Sequence, residues 1–126
     1  MSEPGSIVHK ELGYAVQGAL QQVYNALGPG FREDTYRRAL MRELRRRAIA
    51  FETEKVIDII YQGEVIDHYR LDLVVDDKIV VELKAVEELH PTYEAQLLSY
   101  LRASGLHLGL LVNFGSAILQ IKRKVM

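Results

Sequence analysis

Three charged residues interrupt apolar stretches of the sequence: Asp72 lies in LDLVV, and Glu82 and Lys84 lie in IVVELKAV. Side chains alternate between the two faces of a β-strand, so Glu82 and Lys84 would share one face. Taken alone, they are better explained as the solvated face of an amphipathic strand, because ExK patterns occur in many unrelated strands. The presence of Asp72 favours a chemical role for the three residues, because its carboxylate lies in a segment that is otherwise apolar.

The turn between the two strands determines whether Asp72 meets Glu82. If the loop consists of residues 76–78, Val75 pairs with Ile79, and counting back places Asp72 directly across from Glu82. Like charges directly opposite each other destabilise a sheet, and a cation between them would relieve this. Oxygen ligands favour Mg²⁺, Mn²⁺ or Ca²⁺. A two-residue loop would send Asp72 to the opposite face, and residues 76–78 lack the glycine that three-residue hairpin loops prefer.

Two helical segments carry further polar groups on faces that would point inward. Glu33 has the helical phase of Tyr36 and Leu40, although a first-turn glutamate favoured by the helix dipole explains it better when it is taken alone. Gln96 and Tyr100 are four residues apart and therefore meet on one helix face. A polar helix flank with a tyrosine at the edge of the core is an equally good explanation of that pair.

The hydrophobic periods predict elements in the order ααβββαββ. Helices are expected over residues 6–27, 32–48 and 91–103, and strands over 51–61, 64–75, 79–86, 107–114 and 117–123. Gln62-Gly63 is the expected turn of the first hairpin. This order implies the α/β (α+β) class, with a mixed central sheet flanked by helices, and we expect a single domain over residues 1–126.

The composition is that of an ordinary soluble globular protein, with 126 residues, 48% hydrophobic and 26% charged. There is no cysteine, which excludes disulfides and thiolate metal sites. No stretch approaches the roughly 18 apolar residues of a membrane span, and the first residues do not have the pattern of a secretory signal. We therefore expect a cytoplasmic protein without membrane contact.

The net charge of −1 gives no general attraction to nucleic acid, but basic residues are concentrated in two segments. Six arginines lie between residues 37 and 47, and residues 122–124 are all basic. A solvated helix face and a solubilising tail are favoured over phosphate binding as explanations.

Together, these residues resemble the family named after its GxxExxY motif, within the PD-(D/E)XK nuclease superfamily. The matching residues are Gly30, Glu33 and Tyr36 for GxxExxY, Asp72 with Glu82-Leu83-Lys84 for the superfamily signature, Gln96 and Tyr100 for a QxxxY motif, and Asn113-Phe114-Gly115. The resemblance runs from the first helix to about Gly115. The sequence departs from the family at Tyr24, where a histidine is expected.

The resemblance implies a restriction-endonuclease-like core and metal-dependent hydrolysis of phosphodiester bonds. Asp72 and Glu82 would hold Mg²⁺ (or Mn²⁺), with the Leu83 carbonyl as a further ligand and Glu33 approaching through water. The cation would lower the pKa of bound water and neutralise charge on the phosphate.

The remaining motif residues would complete the catalytic set. Lys84 would orient the water or stabilise the transition state, Gln96 would position Lys84 or the water, and Tyr100 would touch a phosphate.

Three functions are compatible with the sequence. The first is a Mg²⁺-dependent nuclease acting on DNA, and the second is a non-cleaving nucleic-acid-binding or assembly module with the same fold. The third is a metal-dependent enzyme acting on another phosphate ester. A homodimer would enlarge the binding surface, but no sequence feature requires one.

Overall fold

A computed structural model describes residues 8–126, which form three helices and five strands in the predicted order ααβββαββ. The elements are α1 Lys10–Leu27, α2 Glu33–Arg46, β1 Phe51–Tyr61, β2 Glu64–Val75, β3 Ile79–Lys84, α3 Pro91–Ser104, β4 Leu108–Asn113 and β5 Gln120–Val125. The predicted start of the first helix at residue 6 lies outside the described residues. Within residues 8–126, no helix combines the length and the apolar character needed to cross a membrane.

The strands form one mixed sheet in the order β1-β2-β3-β4-β5. Strands β3 and β4 are parallel, and the other neighbouring pairs are antiparallel. Helix α3 provides the crossover that a parallel pair requires. The fold class predicted from the sequence, a mixed sheet flanked by helices, is therefore confirmed.

Helices cover both faces of the sheet. On one face, α1 and α2 contribute Leu20 and Leu40 to a buried cluster that includes Val81. On the other face, α3 contributes Leu97 to a second cluster that includes Val80. The consecutive β3 residues Val80 and Val81 thus belong to opposite layers, as the strand period requires. Strand β3 lies between two apolar layers, so a charge on it needs a specific partner.

The hairpin between β2 and β3 has the three-residue loop on which the alignment of Asp72 with Glu82 depends. Val75 pairs with Ile79, and residues 76–78 form the turn. Asp76 and Asp77 adopt left-handed backbone angles, with φ of 51° and 53°. Aspartate tolerates this conformation better than most residues, which explains how the loop forms without glycine.

Three predicted strand ends were wrong by two residues or more: the end of β3 and both ends of β5, which finishes at Val125 rather than at residue 123. Strand β3 ends at Lys84 rather than at residue 86, because the side chain of Asn113 binds both backbone groups of Val86. Strand β5 begins at Gln120 rather than at residue 117. Residues 115–118 instead form a bend in which the Ser116 hydroxyl donates to the Ile118 carbonyl over 2.9 Å.

The outer part of the β1–β2 hairpin extends beyond β3 as a two-stranded ribbon. Only Leu73, Val74 and Val75 of β2 pair with β3, whereas β2 pairs with β1 out to Glu64. All β2 residues from 64 to 70 are exposed. One face of this ribbon lies beside α3.

Candidate functional site

Strands β2 and β3 separate at the point where Asp72 and Glu82 face each other. The last pair of the ladder is Leu73 with Val81, and one further step aligns Asp72 with Glu82. At this point, hydrogen bonds from backbone N–H groups to side chains replace the backbone-to-backbone hydrogen bonds of the ladder. The Leu83 N–H donates to Asp72 Oδ2 over 2.9 Å, and the Asp72 N–H lies 3.4 Å from Glu82 Oε2. The alignment predicted from the three-residue loop therefore occurs, and it brings two carboxyl groups together at the fork.

Burial of Glu82 changes its ionisation. The residue is only 7% exposed, and this burial raises the pKa of its carboxyl group to about 9. The charge of Asp72 and a side-chain hydrogen bond with Asp72 contribute to this rise, whereas the charge of Lys84 has a smaller opposing effect. Without a cation, the carboxyl group of Glu82 is therefore protonated at neutral pH and is hydrogen-bonded to the side chain of Asp72.

The donor atoms at the fork fit a hard divalent cation. Asp72, Glu82 and the Leu83 carbonyl would supply oxygen ligands only, the set that Mg²⁺ and Mn²⁺ favour. Within residues 8–126, however, no group of three His, Cys, Asp or Glu side chains is close enough to hold a metal ion. Two carboxylates, not three, therefore form the core of this candidate site.

Lys84 follows Glu82 by two residues on β3 and is partly buried. Its Nζ lies 4.4 Å from the centre of the Tyr93 ring on α3. Attraction between an ammonium group and an aromatic ring holds such a cation in place. Lys84 thus has a fixed position beside the carboxyl pair, and its charge lowers the pKa of both Glu82 and Glu33.

Glu33 is the first residue of α2 and lines a cleft of about 190 Å³ together with Asp34, Arg37, Asp72 and Leu83. Partial burial of its carboxyl group raises its pKa, the charge of Lys84 lowers it, and the charge of Asp72 raises it. Glu33 therefore approaches Asp72 and Glu82 from α2. Within residues 8–126, however, the three carboxyl groups are not close enough together to hold one metal ion.

Gln96 and Tyr100 approach from the opposite layer, on α3. Tyr100 is buried, and burial raises the pKa of its hydroxyl, with smaller contributions from the charges of Glu82, Tyr69 and Asp72. The side chain of Gln96 hydrogen-bonds to Tyr100, which lowers that pKa. The structure thus brings Tyr100 to the carboxyl pair, and Gln96 binds Tyr100 rather than Lys84.

Tyr36 fixes the loop that precedes Glu33. Its hydroxyl donates to the Gly28 carbonyl over 2.5 Å and accepts from the Phe31 N–H over 3.1 Å. Its fully buried ring stacks on Phe114, with centroids 4.3 Å apart. Gly30 has a φ of 114°, a backbone conformation that favours glycine. Gly30 and Tyr36 are therefore structural, and they determine where α2 begins and where Glu33 lies.

Asn113 holds the chain after β3. Its Oδ1 accepts from the N–H groups of Val86 and Gly115 over 3.0 and 2.9 Å, and its Nδ2 donates to the Val86 carbonyl over 2.9 Å. A Cβ on Gly115 would overlap the Val86 backbone. Tyr24, where the family would have a histidine, donates to the Ser116 carbonyl over 2.7 Å. These residues support the site without facing its carboxyl pair.

The arginines of α2 are largely neutralised by residues of the same helix. Asp34 pairs with Arg37 and Arg38, and Glu43 pairs with Arg46 and Arg47. These i, i+3 and i, i+4 pairs agree with the solvated helix face that the sequence favours.

Sequence reasoning missed two residues at the site. Arg37 lines the cleft beside Glu33, and the four-residue spacing between them is a signal that could have identified it. Tyr69 lies 5.7 Å from Tyr100, measured between ring centroids. No sequence signal identifies Tyr69, because all neighbouring β2 residues from 64 to 70 are exposed and show no burial period.

Comparison with known proteins agrees with this geometry. The model of the PD-(D/E)XK nuclease superfamily matches residues 10–124, and the chain therefore belongs to that superfamily. The crystal structure of SSO0001 is similar in fold, with a TM-score of 0.52 and 14% sequence identity, over 90% of this chain and 76% of that one. No protein in the curated set is significantly similar in sequence.

Proposed function

We propose that the chain is a Mg²⁺- or Mn²⁺-dependent nuclease that hydrolyses phosphodiester bonds in DNA by activating a water molecule. The observation that carries this proposal is the pairing of the partly buried Asp72 with the buried Glu82, with Lys84 two residues further along β3. A protein that needed only a stable sheet would not place two carboxyl groups opposite each other beside an apolar layer. Strongly perturbed pKa values in a cleft are typical of functional sites.

In this proposal, Asp72, Glu82 and the Leu83 carbonyl hold the cation, and Glu33 acts from α2 through a water molecule. When bound, the cation supplies a water of lowered pKa and neutralises charge on the phosphate. A bound cation would attract both carboxylates and would offset the repulsion between them that arises when Glu82 ionises. Cation binding then requires Glu82 to release its proton.

Side chains of the protein perform the remaining steps. The Lys84 ammonium group, held over Tyr93, stabilises negative charge that develops on the phosphate or orients the attacking water. Gln96 holds Tyr100, whose hydroxyl is available to a phosphate oxygen at the edge of the site. Arg37 lies in the same cleft, where its ion pair with Asp34 neutralises its charge.

A finer assignment, to the GxxExxY family, is supported by the way its motif residues are used. Gly30 and Tyr36 shape the loop that presents Glu33. Asn113 and Gly115 fix the chain next to the end of β3. These contacts explain why each of these motif positions has its residue type, and they support our proposal that the chain belongs to the GxxExxY family.

A non-cleaving nucleic-acid-binding module is the second candidate. It is favoured by the observation that only two carboxyl groups meet and that Glu82 carries a proton when no cation is bound. Such a pair could serve as a structural hydrogen bond in a chain that has lost its activity.

Cleavage of matched single- and double-stranded DNA and RNA distinguishes the two candidates. With Mg²⁺ or Mn²⁺, the purified protein should cleave DNA, and both EDTA and Lys84→Ala should suppress the cleavage. Cleavage that continues at the wild-type rate in Asp72→Ala, Glu82→Ala and Lys84→Ala alike would come from a contaminant. Tight binding without cleavage under every condition would favour the non-cleaving module.

A further inference from the structure

A groove runs between α3 and the ribbon formed by the outer part of β1 and β2. Its main part has a volume of about 490 Å³, and a smaller part of about 190 Å³ adjoins it. The two parts share Ile59, Tyr69 and Ser99. The groove is therefore one continuous depression with an aliphatic and aromatic wall on the ribbon and a polar wall on α3.

The inner end of the groove is lined by two residues of the candidate site. Gln96 and Tyr100 line its smaller part, and Tyr100 is close enough to Glu82 and Asp72 for their charges to raise its pKa. Tyr69 lies against Tyr100 at an interplanar angle of 46°. Tyr69 is 43% exposed, whereas Tyr100 is 9% exposed. Tyr69 thus presents its ring to solvent, and Tyr100 supports it next to the carboxyl pair.

The outer end of the groove carries a cation that is not neutralised. Arg102 is exposed, lines the groove, and makes no ion pair within residues 8–126. Asp58, which lines the same part of the groove, hydrogen-bonds to His68 over 2.8 Å and makes no ion pair with Arg102. The arginines Arg37 and Arg46 of α2, by contrast, are each paired with a carboxylate. Arg102 is therefore available to an anionic ligand in the groove.

We propose that this groove binds an unpaired nucleotide of a single-stranded DNA substrate, with its base stacked on Tyr69 and its backbone directed toward Arg102. The proposal rests on the nuclease function proposed above, and it specifies the form of DNA that the site accepts. An exposed aromatic ring beside a cationic group is the arrangement with which proteins bind single strands without sequence preference. Bases inside a duplex are already stacked on both sides, so they cannot use such a ring unless they are unpaired.

A nucleotide suits the groove better than a second copy of the chain does. Gln96 and Tyr100 line the smaller part of the groove, so a protein segment lying there would cover these two residues of the candidate site. Arg102, which makes no ion pair within residues 8–126, can bind a phosphate of a nucleotide that lies in the groove.

Binding of fluorescein-labelled oligothymidylate, measured by fluorescence anisotropy in EDTA, tests the proposal without requiring cleavage. Tyr69→Ala should raise the Kd about tenfold or more, since it removes the stacking surface. Tyr69→Phe keeps the ring and should bind within about twofold of wild type. Tyr14→Ala removes a tyrosine that is 65% exposed on α1 and is the matched control, expected to have no effect. A blunt duplex should bind more weakly than the single strand and should not respond to Tyr69→Ala.

Arg102→Ala provides a second variant that does not depend on the folding of Tyr69→Ala. It should weaken binding and lower the slope of log Kd against log salt by about 0.7, the value for one phosphate contact on a single strand. Unchanged binding by both Tyr69→Ala and Arg102→Ala would overturn the proposal. So would a wild-type dimer in sedimentation that Tyr69→Ala dissociates, because a second copy would then occupy the groove.

The same variants separate this inference from the nuclease proposal. Binding that depends on Tyr69, without cleavage in Mg²⁺, would preserve the groove assignment and reject the nuclease. Cleavage that depends on Lys84 but not on Tyr69, with equal binding of duplex, would preserve the nuclease and reject the groove assignment.

Discussion

Asp72→Ala and Glu82→Ala are each expected to abolish divalent-cation binding and DNA cleavage together. Each variant leaves a single carboxylate at the fork between β2 and β3, and this removes half of the negative charge that would attract the cation. Lys84→Ala should bind the cation as wild type does but cleave about 10²-fold more slowly, because it removes only charge stabilisation and water positioning. Calorimetric titration with Mg²⁺ or Mn²⁺ and single-turnover cleavage rates measure the two effects separately.

The control for these three variants is Glu64→Ala, which removes an exposed carboxylate from the same strand as Asp72. It should leave both cation binding and cleavage unchanged. The assignment of roles fails if Lys84→Ala loses cation binding as completely as Asp72→Ala does. It also fails if Asp72→Ala still cleaves at the wild-type rate.

In the absence of metal, the folded protein should lose stability as the pH rises from about 4.5 toward 9. Burial and the neighbouring Asp72 raise the folded-state pKa of Glu82 to about 9, whereas its ordinary value is 4.5. The folded state therefore holds this proton more tightly than the unfolded state does. The stabilisation is fully present below pH 4.5 and is lost as the pH approaches the folded-state pKa. For one proton, the slope is at most about 1.4 kcal/mol per pH unit.

Urea unfolding in EDTA at several pH values measures this slope, and Glu82→Gln provides the comparison. Glutamine keeps the size of the side chain and cannot titrate, so the variant should lack the part of the slope that Glu82 contributes. Saturating Mg²⁺ should reduce the loss of stability at high pH in the wild type, because the cation binds the ionised carboxylate. Identical pH profiles for wild type and Glu82→Gln would mean that Glu82 is ionised in the folded protein.

The arrangement of the residues at the centre of the candidate site could be predicted from the sequence. The strand and helix periods determine which of these side chains share a face. A period of two and a three-residue loop were enough to place Asp72 across from Glu82. A helical period was enough to direct Glu33 toward the site from α2 and Tyr100 from α3. The facing of Asp72 and Glu82 was predictable because one short turn joins their strands, and the phases of Glu33 and Tyr100 were predictable because each depends on its own helix alone.

Features that depend on tertiary packing could not be predicted in the same way. The end of β3 and the start of β5 depend on Asn113 and Gly115, which contact Val86 more than 25 residues away in sequence. The apolar residues at 117–119 resemble a strand, although Ile118 is 73% exposed in a bend. The groove beside Tyr69 forms because α3 lies against the ribbon, and no local pattern in β2 indicates that contact.

The central claim is that Asp72 and Glu82 form a divalent-cation site, and a crystal structure of the protein grown with Mn²⁺ tests it most directly. The account predicts an anomalous-scattering peak between the two carboxylates, with an oxygen-only coordination shell that includes the Leu83 carbonyl. Glu33 should face that ion through a water molecule, and the hydrogen bond between Glu82 and Asp72 should be lost. A structure in which Glu82 keeps that hydrogen bond while Mn²⁺ binds elsewhere, or does not bind at all, would contradict the claim.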